Sequence, residues 1–254
     1  MLTLYEIALA GLAALAAGFI NALAGGGTLV SFPALVALGI PEVTANVTNT
    51  VALCPGYLGG AFAQRGDLRG QGERLRILIP AGIIGGIAGG VLLLSIDERV
   101  FHVIVPFLIL ASAVLLIVQD RVKAWICANA PRAAGTRRAG RAALPVGLAA
   151  VYGGYFGPGL SVIVLAVLGL FIDDNLTRLN ALKQCISFAV NVAAAVFFLF
   201  SGLVLWPVAL VMGTGALAGG TLGGRCAGSI NPSLLRWTVV VIGFVIGILL
   251  LVRL

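Results

Sequence analysis

Two trios of polar side chains stand out because they sit in strongly apolar surroundings: Asn46, Asn49 and Thr50, and, 134 residues later, Asn180, Lys183 and Gln184. Within each trio the spacing is i, i+3, i+4, which places all three side chains on one face of a helix. Unpaired polar groups cost several kcal/mol in hydrocarbon, so both faces are expected to look into the protein. Lys183 is the only basic residue well inside an apolar segment, and no carboxylate lies in any segment core. A cation so placed either binds an anionic ligand or reaches the membrane surface. The second option is open because Lys183 lies about five residues, roughly 8 Å, from its segment start, within reach of a snorkelling stem. Asn191 and Tyr57 follow on later turns and fit structural roles better.

Two glycine clusters come next: Gly25, Gly26 and Gly27 (AGGGTLV), and Gly157, Pro158 and Gly159 (FGPGLSV), at a spacing of 132. Consecutive glycines, or Gly-Pro-Gly, break a helix. Broken backbone at membrane depth must be satisfied by protein or water, which implies a polar cavity. The helices that restart at Thr28 and Leu160 would then aim free N–H groups and positive dipole ends at that cavity, an arrangement suited to an anion. The alternative is a tight surface turn between two short helices.

The elements that must position these groups follow from composition. The chain is 60% hydrophobic and only 10% charged, with mean hydropathy +1.12. Ordinary soluble domains carry about 25% charge, so this is an all-α integral membrane protein whose environment is the lipid bilayer. Apolar segments run over 4–24, 28–39, 45–64, 75–95 and 99–119, and then over 143–157, 159–172, 178–200, 204–224 and 234–253. The chain therefore divides into a first membrane repeat (1–119), a basic linker (120–142) and a second membrane repeat (143–254). Gly85, Gly86, Gly89 and Gly90 recur 134 residues on as Gly219, Gly220, Gly223 and Gly224, and IDERVFHVIVPFLILASAVLLIV matches INPSLLRWTVVVIGFVIGILLLV. Duplicated apolar halves that each open with a broken segment are the mark of a secondary transporter with its site at the repeat interface.

Two loops are strongly basic, Arg65–Arg76 and Arg121–Arg141, and two spans separate them, which puts both in the cytoplasm. The second-half counterpart of the first is Ser201–Leu205, without charge, whereas the counterpart of the outward Asp97–Arg99 loop is flanked by Arg225 and Arg236. Basic charge has changed sides, so two inverted-topology repeats are expected. Each would hold a Gly/Pro-broken short helix hairpin followed by three transmembrane helices, with both termini outside. Whether the short segments are full spans or re-entrant is open. So is the oligomeric state, although a homo-oligomer is compatible.

The remaining candidates are weaker. His102, the only histidine, and Asp173 and Asp174 could couple protons, although an interfacial histidine and helix-capping acids are the plainer readings. Cys54, Cys127, Cys185 and Cys226 lack metal or disulfide spacing, and three of them sit in or at the ends of apolar segments, where cysteine behaves as a small buried hydrophobe. The net charge of +7 is confined to loops, which speaks against nucleic acid. MLTLYEIALAGLAALAAGF has no positive n-region and reads as the first membrane helix. There is no GxSxG, HExxH or P-loop, so no enzyme, metal site or cofactor is expected.

GFINALAGGGTLVSFPAL, ANVTNTVALCPGYLGG, NALKQCISFAVNVAAAVFFLFSGLVLWP and GALAGGTLGG together resemble the TauE/SafE-type membrane proteins, also called the 4-toluene sulfonate uptake permease family. The resemblance covers essentially the whole chain. It implies transport of sulfite or an organosulfonate across the bacterial inner membrane, often as export. Asn46, Thr48, Asn49, Asn180, Lys183 and Asn191 fit the pattern's polar positions, while Gly157-Pro158-Gly159 departs from the triple glycine, so the two half-sites need not be equivalent. On this reading Lys183 supplies charge, Asn46, Asn49, Thr50, Asn180 and Gln184 donate hydrogen bonds, and the backbone at Gly25–Gly27 and Gly157–Gly159 completes an oxyanion cradle. Proton coupling would run through Asp173, Asp174, His102 or the substrate's own titration. An anion channel on the same scaffold and a non-transporting scaffold subunit are the competing readings.

Overall fold

A computed structural model of the protein describes residues 2–23, 25–63, 65–129, 139–226 and 232–252, with the side chains of 57–63, 65, 129, 224 and 232 outside the description. Tyr57, Arg65, Arg132, Arg137 and Arg138 therefore fall outside the described side chains. The described residues form helices and no strand. The first half holds α1 (Leu4–Leu23), α2 (Thr28–Ala37), α3 (Glu42–Ala63), a 3-10 turn at Arg65–Leu68, α4 (Gly72–Ser95) and α5 (Glu98–Asn129). The second holds α6 (Ala139–Tyr155), α7 (Leu160–Phe171), α8 (Leu176–Leu199), α9 (Trp206–Cys226) and α10 (Pro232–Val252).

Among the described residues, α1, α4, α5, α8 and α10 are long and apolar enough to cross a membrane. With 10 and 12 residues, α2 and α7 extend only about 15–18 Å at 1.5 Å per residue, half of the roughly 30 Å hydrocarbon core. The largest departure from the expected segment boundaries is at the end of α5. Helix α5 has 32 residues and carries on through 120–129, a stretch that reads as loop because Asp120, Arg121 and Lys123 end its hydropathy. Hydropathy marks where the apolar stretch stops, whereas a helix continues for as long as its own hydrogen bonds and packing support it.

Glycine sets how the helices meet. A Cβ added to Gly219 would lie 1.9 Å from the Leu15 carbonyl oxygen, and one on Gly223 2.7 Å from that of Phe19, so α9 lies backbone to backbone along α1. In the same way Gly85 would meet the Gly147 carbonyl at 2.3 Å and Gly89 that of Val151 at 2.1 Å, which lays α4 along α6. Without a hydrophobic drive between helices in lipid, close small-residue packing of this kind is what joins them. The registers agree: the glycines of the two contacts stand 134 residues apart and their partners 132 apart, the same two spacings the repeated motifs carry. Packing is reciprocal throughout, with α1 on α9 as α6 on α4, α3 on α9 as α8 on α4, and α10 on α2 as α5 on α7. The two hairpins touch at the centre, where Phe32 of α2 meets Phe156 edge-on with ring centroids 5.4 Å apart.

Candidate functional site

Both glycine breaks are real interruptions. Gly25, Gly26, Gly157 and Gly159 have φ of 79°, 85°, 92° and 83°, the left-handed region that side-chain-bearing residues rarely adopt. They let the chain end α1 and α6 and restart as α2, with Gly27 at its N-cap, and α7, with Gly159 at its N-cap. Both breaks rest on one stretch of α5, Gly26 against Leu116 and Gly159 against Leu115.

Their freed backbone groups are met differently. The Gly27 N–H donates to Asn21 Oδ1 at 2.8 Å. The Pro158 carbonyl accepts from Ser112 Oγ at 3.0 Å and from Tyr152 Oη at 2.6 Å. The two half-sites are thus built from different chemistry, in keeping with the departure from triple glycine in the second.

Between the breaks lies a cavity of about 190 Å³, far above the roughly 10–15 Å³ that one water needs. Gly25, Gly26 and Thr28 form one wall and Gly157, Gly159 and Ser161 another. Asn180, Lys183 and Gln184 form a third, with Ser187 and Asn191 one and two turns further along α8. The structure therefore brings the second-half trio and both helix starts to one place. Lys183 is 8% exposed, so it does not snorkel. Its ammonium has no ion pair or hydrogen bond among the described residues. Ser187 Oγ is likewise buried without a partner, and Asn191 Nδ2 donates to the Ser187 carbonyl at 2.7 Å.

The first-half trio is elsewhere. Asn46, Asn49 and Thr50 do not line this cavity, nor does Gly27, whose Cα faces the α1 backbone at Ala17. Asn46 Nδ2 donates to the Tyr155 carbonyl at 2.8 Å and so holds the end of α6. Thr50 Oγ1 donates to the Asn46 carbonyl at 2.9 Å within its own helix, and Asn49 Oδ1 is buried without a partner among the described residues. Spacing alone gives a shared face; it does not say which wall the face joins.

Other groups on the wall escape the sequence reading: Asn21, Gln119, Lys123, Ser161 and Ser187. Gln119, the last residue of the expected segment, and Lys123, on the unexpected extension of α5, are i, i+4, and that spacing was the available signal.

Of the weaker candidates, His102 Nδ1 lies 2.5 Å from Glu42 Oε1, joining α5 to the start of α3. Asp174 Oδ2 accepts from Arg74 Nη1 at 2.5 Å and from Arg178 Nε at 3.1 Å. Asn175 caps α8, its Oδ1 accepting the Arg178 N–H at 2.9 Å. None of these three lines the cavity.

Comparison with known proteins agrees with this architecture. The model of the family "Sulfite exporter TauE/SafE" matches residues 10–250. A Haemophilus influenzae protein named as a probable membrane transporter protein is 31% identical over 237 residues, covering 90% of this chain and 88% of its own. The Escherichia coli K12 probable membrane transporter protein YfcA is 25% identical over 240 residues, 94% and 87% of the two chains. A Sinorhizobium probable membrane transporter protein, ORF9, is 27% identical over 242 residues, 94% and 90%. No solved structure matches.

Proposed function

The chain belongs to the sulfite exporter TauE/SafE family, and from that premise we propose that it is a secondary transporter exporting small sulfur-containing anions, sulfite or an organosulfonate, across the bacterial inner membrane by alternating access. The observation that carries this reading is Lys183: a buried ammonium without a counter-ion among the described residues, in a cavity where two helix N-termini converge. A buried cation left unpaired is costly, and an anionic ligand removes that cost. Helix N-termini add partial positive charge, and Gln184 and Ser187 add neutral donors around a pyramidal or tetrahedral SO₃ group.

Transport needs the cavity to open to either side in turn. In this reading the halves are inverted repeats that rock against each other. The reciprocal helix packing and the exchange of basic loops between halves both support it. Asn46, Asn49 and Thr50, the counterparts of Asn180, Lys183 and Gln184, are packed shut in this conformation and would line the path when the other face opens.

The test is a thermal-shift titration of the detergent-purified protein against sulfite, thiosulfate, sulfate, taurine, toluenesulfonate, acetate and chloride. A ligand that binds only the folded state raises stability by RT ln(1 + [L]/Kd). Stabilisation by sulfur oxyanions over acetate and chloride, lost in a folded Lys183→Ala variant, is the expected result. A flat response across the panel would overturn the reading.

A further inference from the structure

The cavity holds a second cation that the family reading does not use. Lys123 of α5 and Lys183 of α8 line the same cavity. Asp120, one turn earlier on α5, is the carboxylate nearest to Lys123 along the helix, but it does not line the cavity. Both its carboxylate oxygens are taken by the Arg236 guanidinium of α10, whose residue is 6% exposed. No Asp or Glu lines the cavity among the described residues. The pocket thus presents two positive side chains and the N-terminal ends of two helices, each end equivalent to about half a positive charge, with no carboxylate on its wall among the described residues.

We propose that the site is built for a doubly charged oxyanion, with Lys183 holding one negative charge and Lys123 acting as the residue that selects for the second. The proposal rests on the anion-transporter reading and sharpens it. A monoanion leaves one of the cavity's two ammoniums uncompensated in a confined space, whereas a dianion pairs with both. Lys123 is only half-buried, so its head keeps some water when the site is empty. That makes it a tuning charge, secondary to the fully enclosed Lys183.

Sulfate and methanesulfonate make the decisive pair, because both are tetrahedral sulfur centres of nearly equal size and differ in replacing an O⁻ by a methyl group. Affinities would be measured by titration calorimetry on the full-length protein in detergent, at fixed pH and ionic strength. The expected result is at least tenfold tighter binding of sulfate by the wild type. That ratio should fall at least fivefold in Lys123→Gln and persist in Lys123→Arg, which keeps the charge, with melting curves checking that each variant is folded. A wild-type ratio near one, or a ratio that Lys123→Gln leaves unchanged, would overturn the proposal while leaving the transporter reading intact. If neither ion binds and sulfite also fails to bind, the anion-site reading itself falls and this proposal with it.

Discussion

Arg74 of α4 and Asp174 of the α7–α8 connection form a buried ion pair at 2.5 Å between the two halves of the chain, their side chains 4% and 6% exposed. Gln71 knits the same point together, accepting from Arg74 Nη1 at 3.1 Å and donating to the Arg178 carbonyl at 3.0 Å. Burial works to raise the Asp174 carboxyl, but hydrogen bonds from Arg74, the Asn175 backbone and Arg178 outweigh it and hold the group below its ordinary 3.8. A carboxylate depressed in the folded state contributes stability that is present above the unfolded value and lost as pH falls through the folded one. Asp174→Ala should therefore cost about 3 kcal/mol at pH 7, the lower end for breaking a buried pair, since Arg178 stays partly open to water. Melting temperatures of both proteins from pH 7 to pH 3 should converge below about pH 4. A gap that stays constant with pH would show that the charge is not what matters.

The backbone-to-backbone contacts make a second prediction with an internal control. Gly219→Ala and Gly89→Ala would press a methyl group to 1.9 and 2.1 Å from carbonyl oxygens that cannot move independently, at a cost of about 3 kcal/mol or more. Gly140 also lies in a helix, but none of the described residues stands within 4 Å of where an added methyl would sit, so Gly140→Ala should gain up to about 1 kcal/mol from helix propensity. Opposite signs in thermal melts of these variants are expected. Equal effects would mean the α1–α9 and α4–α6 seams are looser than described.

Much of this was legible in advance because two signals were strong. Apolar runs located the segments, and repeated glycines located both the breaks and the seams, since only a residue without a Cβ allows so close a backbone approach. Lys183 was legible for a related reason: a charge in an apolar run needs an explanation. What could not be read was position around the helix. Asn46 and Asn180 have equal spacing relations to their neighbours, yet Asn46 holds the Tyr155 carbonyl and Asn180 lines the cavity. Lys123 was hidden among loop charges because an extended helix leaves no mark in hydropathy once it passes the apolar stretch.

The Pro158 carbonyl supplies a third prediction. Tyr152 Oη donates to it at 2.6 Å, and the single hydroxyl hydrogen of Ser112 can turn to it at 3.0 Å, to Tyr152 Oη at 2.8 Å or to the Leu108 carbonyl at 2.7 Å. Either Ser112→Ala or Tyr152→Phe alone leaves one donor and should cost about 1 kcal/mol, a typical net hydrogen bond. Together they leave a carbonyl unsatisfied in the interior, so the double variant should lose at least about 1 kcal/mol more than the sum of the two. Additive losses in a double-mutant cycle would mean that water takes over the carbonyl and that the break is already wet.

Lys183 allows a role in binding to be told apart from a role in folding. If it exists to bind an anion, the ligand-free protein bears the cost of a buried cation without a partner. Lys183→Met, an unbranched apolar replacement of similar length, should then raise the stability of the ligand-free protein by about 1–3 kcal/mol, as replacing buried charges by apolar groups does elsewhere. The same change should abolish stabilisation by sulfur oxyanions. Both quantities come from melting curves in an anion-poor buffer, with and without ligand. A structural lysine would behave in the opposite way: removing it would lower the melting temperature and leave the ligand response in place. A rise in basal stability coupled to loss of the ligand response is the outcome expected of a residue kept for function at the expense of the fold.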